Sequence, residues 1–170
     1  MRLTNRDYDI LEYVNINKGI TLNQASKIFF SGSYKMASKR MNVLVNNNYI
    51  KSAYQPNINK KVYYLEKVPS YHMILANGII LLHNRNNIHF SQREFSIGKS
   101  IVDFIVIDKS RKVFIYEIDI YHRTTNEKIE YIFKECNDLN MEFIIIGRNN
   151  TRYKKLDSRV RYAHMQEICI

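Results

Sequence analysis

The sequence predicts a two-part α+β chain. Three observations carry that prediction: helical apolar periodicity in the opening segments, β-branched and aromatic runs later in the chain, and a basic excess concentrated in the first part. Of 170 residues, 45% are hydrophobic and only 5 are Gly and 2 Pro, so a packed core is affordable and linker-like or collagen-like readings fail. The net charge is +10. Residues 1–68 hold 11 Lys/Arg against 4 Asp/Glu, whereas residues 69–170 hold 15 against 12. A basic first domain, 1–68, joined to a nearly balanced second one, 69–170, points to a polyanionic partner for the first, because Lys and Arg contacts to phosphate release counterions.

Several classes are set aside. No apolar run is long enough to cross a bilayer, and the start lacks a hydrophobic signal core, so a cytoplasmic protein with no membrane partner is expected. Cys136 and Cys169 make no disulfide framework and belong to no zinc spacing, and His72, His83, His89, His122 and His164 share no ligand spacing.

Element by element, Asn5 to Asn17 carries Ile10, Leu11 and Val14 at helical spacing behind Thr4 as N-cap, with Asp7 as a first-turn acid and a stop at Gly19. Thr21 caps a second helix through Leu22, Ala25, Ile28 and Phe29, which ends at Ser31, Gly32 and Ser33. A third helix, Tyr34 to Asn47, places Tyr34, Ala37, Met41, Leu44 and Val45 in one stripe and leaves Lys35, Met36, Lys39, Asn42 and Val43 on the far side. Tyr49 to Tyr54 and Val62 to Leu65 then read as a hairpin whose tip, Gln55 to Lys61, is polar and basic.

Three helices and a basic-tipped hairpin read as an N-terminal winged helix-turn-helix. Such a module binds double-stranded DNA, with the third helix in the major groove. Lys35, Met36, Lys39 and Asn42 are the expected readers of base edges, Arg40 is expected to grip phosphate, and Lys60 and Lys61 are placed for the backbone or minor groove. The plainer alternative is a solvated helix face and a lysine-rich turn.

In the second part, Ser70 to His83 reads as a helix interrupted at Asn77 and Gly78, and Asn84 to Asn87 as a loop. Ile101 to Ile107 and Val113 to Ile120 form an antiparallel hairpin, followed by a helix over Glu127 to Cys136 and a strand over Glu142 to Ile146. Tyr153 to Arg161, with Lys154, Lys155, Arg159 and Arg161, reads as a basic helix-like stretch. Asp103 interrupts the first strand of the hairpin, and Glu117 and Asp119, two apart on the second, share a face. Converging carboxylates require a cation, basic partners, shared protons or an exposed cleft.

This arrangement resembles the PD-(D/E)XK nuclease core. Val102-Asp103 stands for its Pro-Asp step, Glu117-Ile118-Asp119 for its triplet, and Glu94 for the preceding acidic residue. The resemblance implies Asp103 and Glu117 as Mg²⁺ ligands, with a lysine to position the nucleophile. Asp119 stands where that lysine belongs. Either the lysine has moved, with Lys128 the nearest candidate, or cutting is lost, and the missing cation favours loss, with no catalytic residue, metal ligand or cofactor expected. If the chain is a nuclease, Glu94, Asp103, Glu117 and Lys128 are its catalytic set. A third possibility pairs Glu117 and Asp119 with Arg123 and Lys128 without any chemistry.

The whole pattern also resembles the replication-relaxation family. The residues that carry the likeness are Leu3, Thr4, Asp7, Ile10, Leu11, Thr21, Gln24, Ala25, Arg40, Met41, Leu44, Tyr63 and Leu65, then Arg93-Glu94, Asp103, Glu117, Asp119, Arg123, Thr124, Thr125, Lys128 and Tyr131. Val102 departs from the family's Pro, and Ile120, Tyr121 and His122 lengthen the gap before Arg123. The resemblance implies a sequence-specific DNA-binding accessory factor of plasmid replication or conjugation, with relaxase or replication proteins as partners and a possible homodimer. The alternatives are a metal-dependent DNA endonuclease and a transcriptional repressor.

Overall fold

The computed structural model describes residues 2–120, 122–148, 158–165 and 168. They form a mixed α+β chain with five α-helices and two sheets. Two compact units divide it, the first running to Leu81 and the second covering Leu82–Ile168. The division falls between Leu81 and Leu82, beyond the helix Tyr71–Ile79, whereas the sequence places the start of the second domain at residue 69.

The first unit contains α1 (Asn5–Asn17), β1 (Ile20–Thr21), α2 (Leu22–Phe29), α3 (Tyr34–Asn46), β2 (Lys51–Gln55), β3 (Lys60–Tyr64) and α4 (Tyr71–Ile79). β3 lies between β1 and β2, antiparallel to both. Each helix start is fixed by a side chain that satisfies an otherwise unpaired N–H. Thr4 and Asp7 form a capping box on α1, Thr21 and Gln24 form one on α2, and the Ser33 hydroxyl accepts from Met36 N at 3.4 Å on α3. Ile10, Val14, Ile20, Ala25, Ala37, Met41 and Leu44 close the core, all fully buried.

Two details differ from expectation. α1 stops because Lys18, not Gly19, takes the left-handed conformation at φ 62°. Gly19 is required for closeness instead, since a Cβ there would sit 2.6 Å from Pro69 Cγ. The expected break at Asn77 and Gly78 does not occur, and α4 runs through both. Asn77 acts as a clamp, its Nδ2 donating to Asn17 O and Gly19 O at 2.9 Å each, while Gln24 Nε2 donates to Ile74 O at 2.9 Å.

The second unit is a five-stranded sheet, β4 (Ile88–Ile97), β5 (Ser100–Asp108), β6 (Val113–Asp119), β7 (Met141–Gly147) and β8 (Val160–His164), in that spatial order. β4, β5 and β6 are successive antiparallel neighbours, whereas β6, β7 and β8 run parallel. A parallel step needs a crossover, supplied by α5 (Asn126–Glu135). Ile129 and Ile132 of α5 pack on Val113, Ile115, Phe143 and Ile145 of the sheet. Val113, Ile115, Glu117 and Asp119 therefore share one face of β6, and its apolar stripe ends in two acids. β4 and β8 were not anticipated. The basic stretch expected to be helical at Tyr153 to Arg161 enters β8 at Val160, and its residues 153–157 lie outside the described residues.

Candidate active site

The acids of β6 become a site because three elements converge on them. Glu117 is 5% exposed, and its Oε1 lies 2.6 Å from Lys128 Nζ, the first-turn lysine of α5. Oε1 has no directional hydrogen-bond partner among the described residues, so its charge is met by the ion pair. Glu117 Oε2 lies 3.4 Å from Thr124 Oγ1. On the neighbouring strand β5, Asp103 lies one residue beyond the last Phe104–Tyr116 pairing and accepts from Ile118 N at 2.7 Å. That bond fixes Asp103 beside Glu117. Burial pushes the Glu117 carboxyl up to about 7, Lys128 pulls it down, and the nearby Asp103 and Asp119 charges raise it again.

Asp119 has a different task. Its Oδ2 accepts from Thr124 N at 2.9 Å and its Oδ1 from the Thr124 hydroxyl at 2.6 Å. Burial raises this carboxyl too, against the lowering effect of the Thr124 bonds. Thr124 is itself buried, and the next residue, Thr125, caps α5 by accepting from Lys128 N at 3.2 Å. Asp119 thus pins the entry to the helix, and the pinned helix carries Lys128 back to Glu117. Asp119 is a positioning carboxylate, and the ammonium that meets Glu117 comes from α5. The role of Thr124 was not legible from its place in the sequence, although a Thr-Thr pair just before a helix is an N-cap signal.

Of the four residues expected for a nuclease, Asp103, Glu117 and Lys128 are brought together. Glu94 is exposed on β4 at φ 49°, an uncommon backbone state for a non-glycine residue. Among the described residues, no group of three His, Cys, Asp or Glu is arranged to hold a metal ion. Mg²⁺ does not need one, because it binds through one or two carboxylates and keeps several waters. The paired hard oxygens of Asp103 and Glu117, one of them held buried against its charge, fit that demand.

The expected DNA-contact residues lie on the first unit. Lys35, Met36, Lys39 and Asn42 are exposed on α3, and Lys60 and Lys61 are exposed at the hairpin. Arg40 is a correction. Its Nε donates to Asp7 Oδ1 at 2.6 Å and its NH2 pairs with Asp7 Oδ2, so it closes α3 onto a buried carboxylate instead of reaching phosphate. Tyr34, expected in the buried stripe, is 59% exposed. No helix among the described residues is long and apolar enough to cross a membrane.

No family model matches the chain, and no curated protein matches it. Two solved structures are similar to it in part. One is a repair endonuclease from Pyrococcus abyssi, 19% identical, with a TM-score of 0.41, covering 61% of this chain and 51% of that one. The other is an EndoMS complex with double-stranded DNA, 14% identical, with a TM-score of 0.37, covering 62% and 52%. The chain spans about half the length of each. Neither is described as a plasmid accessory factor, and the expectation of a mobile-element DNA-binding protein with an idle second domain is corrected. The idle-domain part of that expectation rested on the missing lysine of the triplet, and the structure places Lys128 Nζ 2.6 Å from Glu117 Oε1.

Proposed function

We propose that the chain is a metal-dependent DNA endonuclease, with its active site at Asp103, Glu117 and Lys128 and its DNA-binding surface on a winged helix formed by the first unit. The observation that carries this reading is the 2.6 Å approach of Lys128 Nζ to Glu117 Oε1 beside Asp103. It restores, from a helix, the acid–acid–lysine set of a PD-(D/E)XK core. Kinship with the replication-relaxation family belongs to the same proposal and is supported by the order Glu117, Asp119, Arg123, Thr124, Thr125, Lys128.

Asp103 and Glu117 would hold Mg²⁺, which when bound lowers the pKa of a water and offsets charge on a phosphodiester. The protein's own groups do the rest. The Ile118 N–H holds the Asp103 carboxylate still, and the buried sheet face keeps Glu117 from swinging to solvent. The Lys128 ammonium places positive charge where negative charge grows on phosphate and can orient the attacking water. Asp119 and Thr124 keep the first turn of α5, and with it that ammonium, in register with the strand.

The duplex is proposed to lie on Lys35, Met36, Lys39, Asn42, Lys60 and Lys61, each phosphate contact adding to the salt dependence of binding. The test is incubation of supercoiled plasmid with the full chain and Mg²⁺ or Mn²⁺. Nicking or linearisation that disappears in Asp103→Ala and Lys128→Met supports the reading. A plasmid left intact across both metals and a range of salt refutes it.

A further inference from the structure

In the first unit, Asn42, Lys60 and Lys61 of the proposed duplex surface also line a groove with two exposed tyrosines that the duplex reading does not use. Between α3 and the β2–β3 hairpin runs a groove of about 770 Å³, bordered by Tyr34 and Tyr54. The two tyrosines are 59% and 60% exposed, each keeping a large ring surface in water. Asn23, Ser38 and Asn42 line the wall, and Lys60 and Lys61 line the hairpin side, with no carboxylate among the lining residues. Tyr54 pairs in register with Lys61, so an aromatic ring and an ammonium stand side by side on one edge.

This is the combination that single-stranded nucleic acid uses: π faces for bases, cations for the adjoining phosphates, and amides for base edges. A stacked duplex buries its base faces and cannot offer them to a tyrosine. An acidic peptide would satisfy the lysines but leave both rings in water.

We propose that the groove between Tyr34 and Tyr54 takes an unstacked nucleotide, so that the substrate is DNA carrying a single-stranded arm next to a duplex. This rests on the DNA-binding reading above and narrows it. Tyr34 caps the near end of the groove from the first turn of α3, and Tyr54 faces the strand from the hairpin, with Lys60 and Lys61 meeting the phosphates between.

Fluorescence anisotropy of the full chain, without divalent metal, compares a blunt duplex with the same duplex bearing a short single-stranded arm. Tighter binding of the armed duplex is expected. Tyr34→Ala and Tyr54→Ala should each weaken that binding by about tenfold while leaving blunt-duplex affinity unchanged, and the Phe variants should retain it, because stacking needs the ring and not the hydroxyl. Both positions are exposed, so unchanged circular dichroism is expected in all four variants. Equal affinity for the two substrates, Ala variants that keep the preference, or polyglutamate competing as well as a single-stranded oligonucleotide would overturn the inference alone. Failure to bind either DNA would overturn the DNA-binding reading and the inference together.

Discussion

Replacing Asp7 by Asn tests whether Arg40 is a structural residue. In the folded chain the Asp7 carboxylate is fully buried, accepts from Thr4 N at 2.6 Å and from the Thr4 hydroxyl at 2.7 Å, and is clasped by Arg40. Arg40 above all holds its pKa at about 2, against an ordinary 3.8. At ~1.4 kcal/mol per pH unit, that displacement is worth about 2 kcal/mol. The figure is an upper one, because the guanidinium side chain is 27% exposed and water screens part of the pair. The sign follows from proton counting. Between the folded and unfolded values the unfolded chain binds the proton and the folded one does not, so the stabilisation is complete above about pH 4 and is lost as pH falls toward 2. Asn keeps one carbonyl acceptor for Thr4 but carries no charge for Arg40. With roughly 4–8 °C per kcal/mol for a unit of this size, Asp7→Asn should lower the melting temperature at neutral pH by roughly 8–15 °C. Thermal denaturation followed by circular dichroism at neutral pH and near pH 2 measures both terms, and the gap between the wild type and the variant should narrow in acid. An Asn variant that melts with the wild type at neutral pH, or a gap of constant size down to pH 2, would refute the pairing as a source of stability.

Other outcomes follow from the same structure. Lys128→Met should reduce DNA cleavage by about 10²–10³-fold, the usual loss when one preorganised charge is removed, with the circular dichroism spectrum unchanged. Thr124→Val removes the hydroxyl bond to Asp119 Oδ1, leaving the backbone bond to Oδ2, and should destabilise the chain by about 1–3 kcal/mol in urea titration, with a parallel fall in cleavage as the tie between Asp119 and α5 loosens. Because the Glu117 carboxyl sits near 7 in the metal-free fold against an ordinary 4.5, the unfolded chain releases its proton first as pH rises. Stability of the metal-free protein should therefore fall between those two values, and Glu117→Gln should flatten that part of the pH profile. Lys35→Ala and Lys39→Ala should each weaken binding to duplex DNA and, where the contact is to phosphate, reduce the salt slope by about one, whereas Arg40→Met should lower stability and leave the slope alone.

The first three helices of the first unit and the hairpin after them were legible because periodicity and capping are local. Ile10 with Val14, and Ala37 with Met41 and Leu44, fall on one face by spacing alone, and Thr4 and Thr21 announce helix starts wherever the chain then goes. The strand carrying Glu117 and Asp119 was legible for the same reason, and so was their common face. β4 was not, because it lies at the edge of its sheet with most of its side chains in water, which removes the alternation that marks a half-buried strand.

Partner choice was only partly legible, since Lys128 stood among the candidate partners of Glu117 but nothing in the sequence selected it. Asp7 and Arg40 are 33 positions apart, and nothing in their spacing says that packing of α1 against α3 will bury one acid and offer it one base. Asp119 stands where a nuclease lysine is expected, and from sequence that reads as a lost activity. Only the crossover through α5, folded back over β6 and tied by Thr124, brings Lys128 to Glu117 and gives Asp119 a use of its own. A chain's order fixes which faces are apolar. Which charges meet is decided by distances through space, and those exist only once the sheet and its helix have packed.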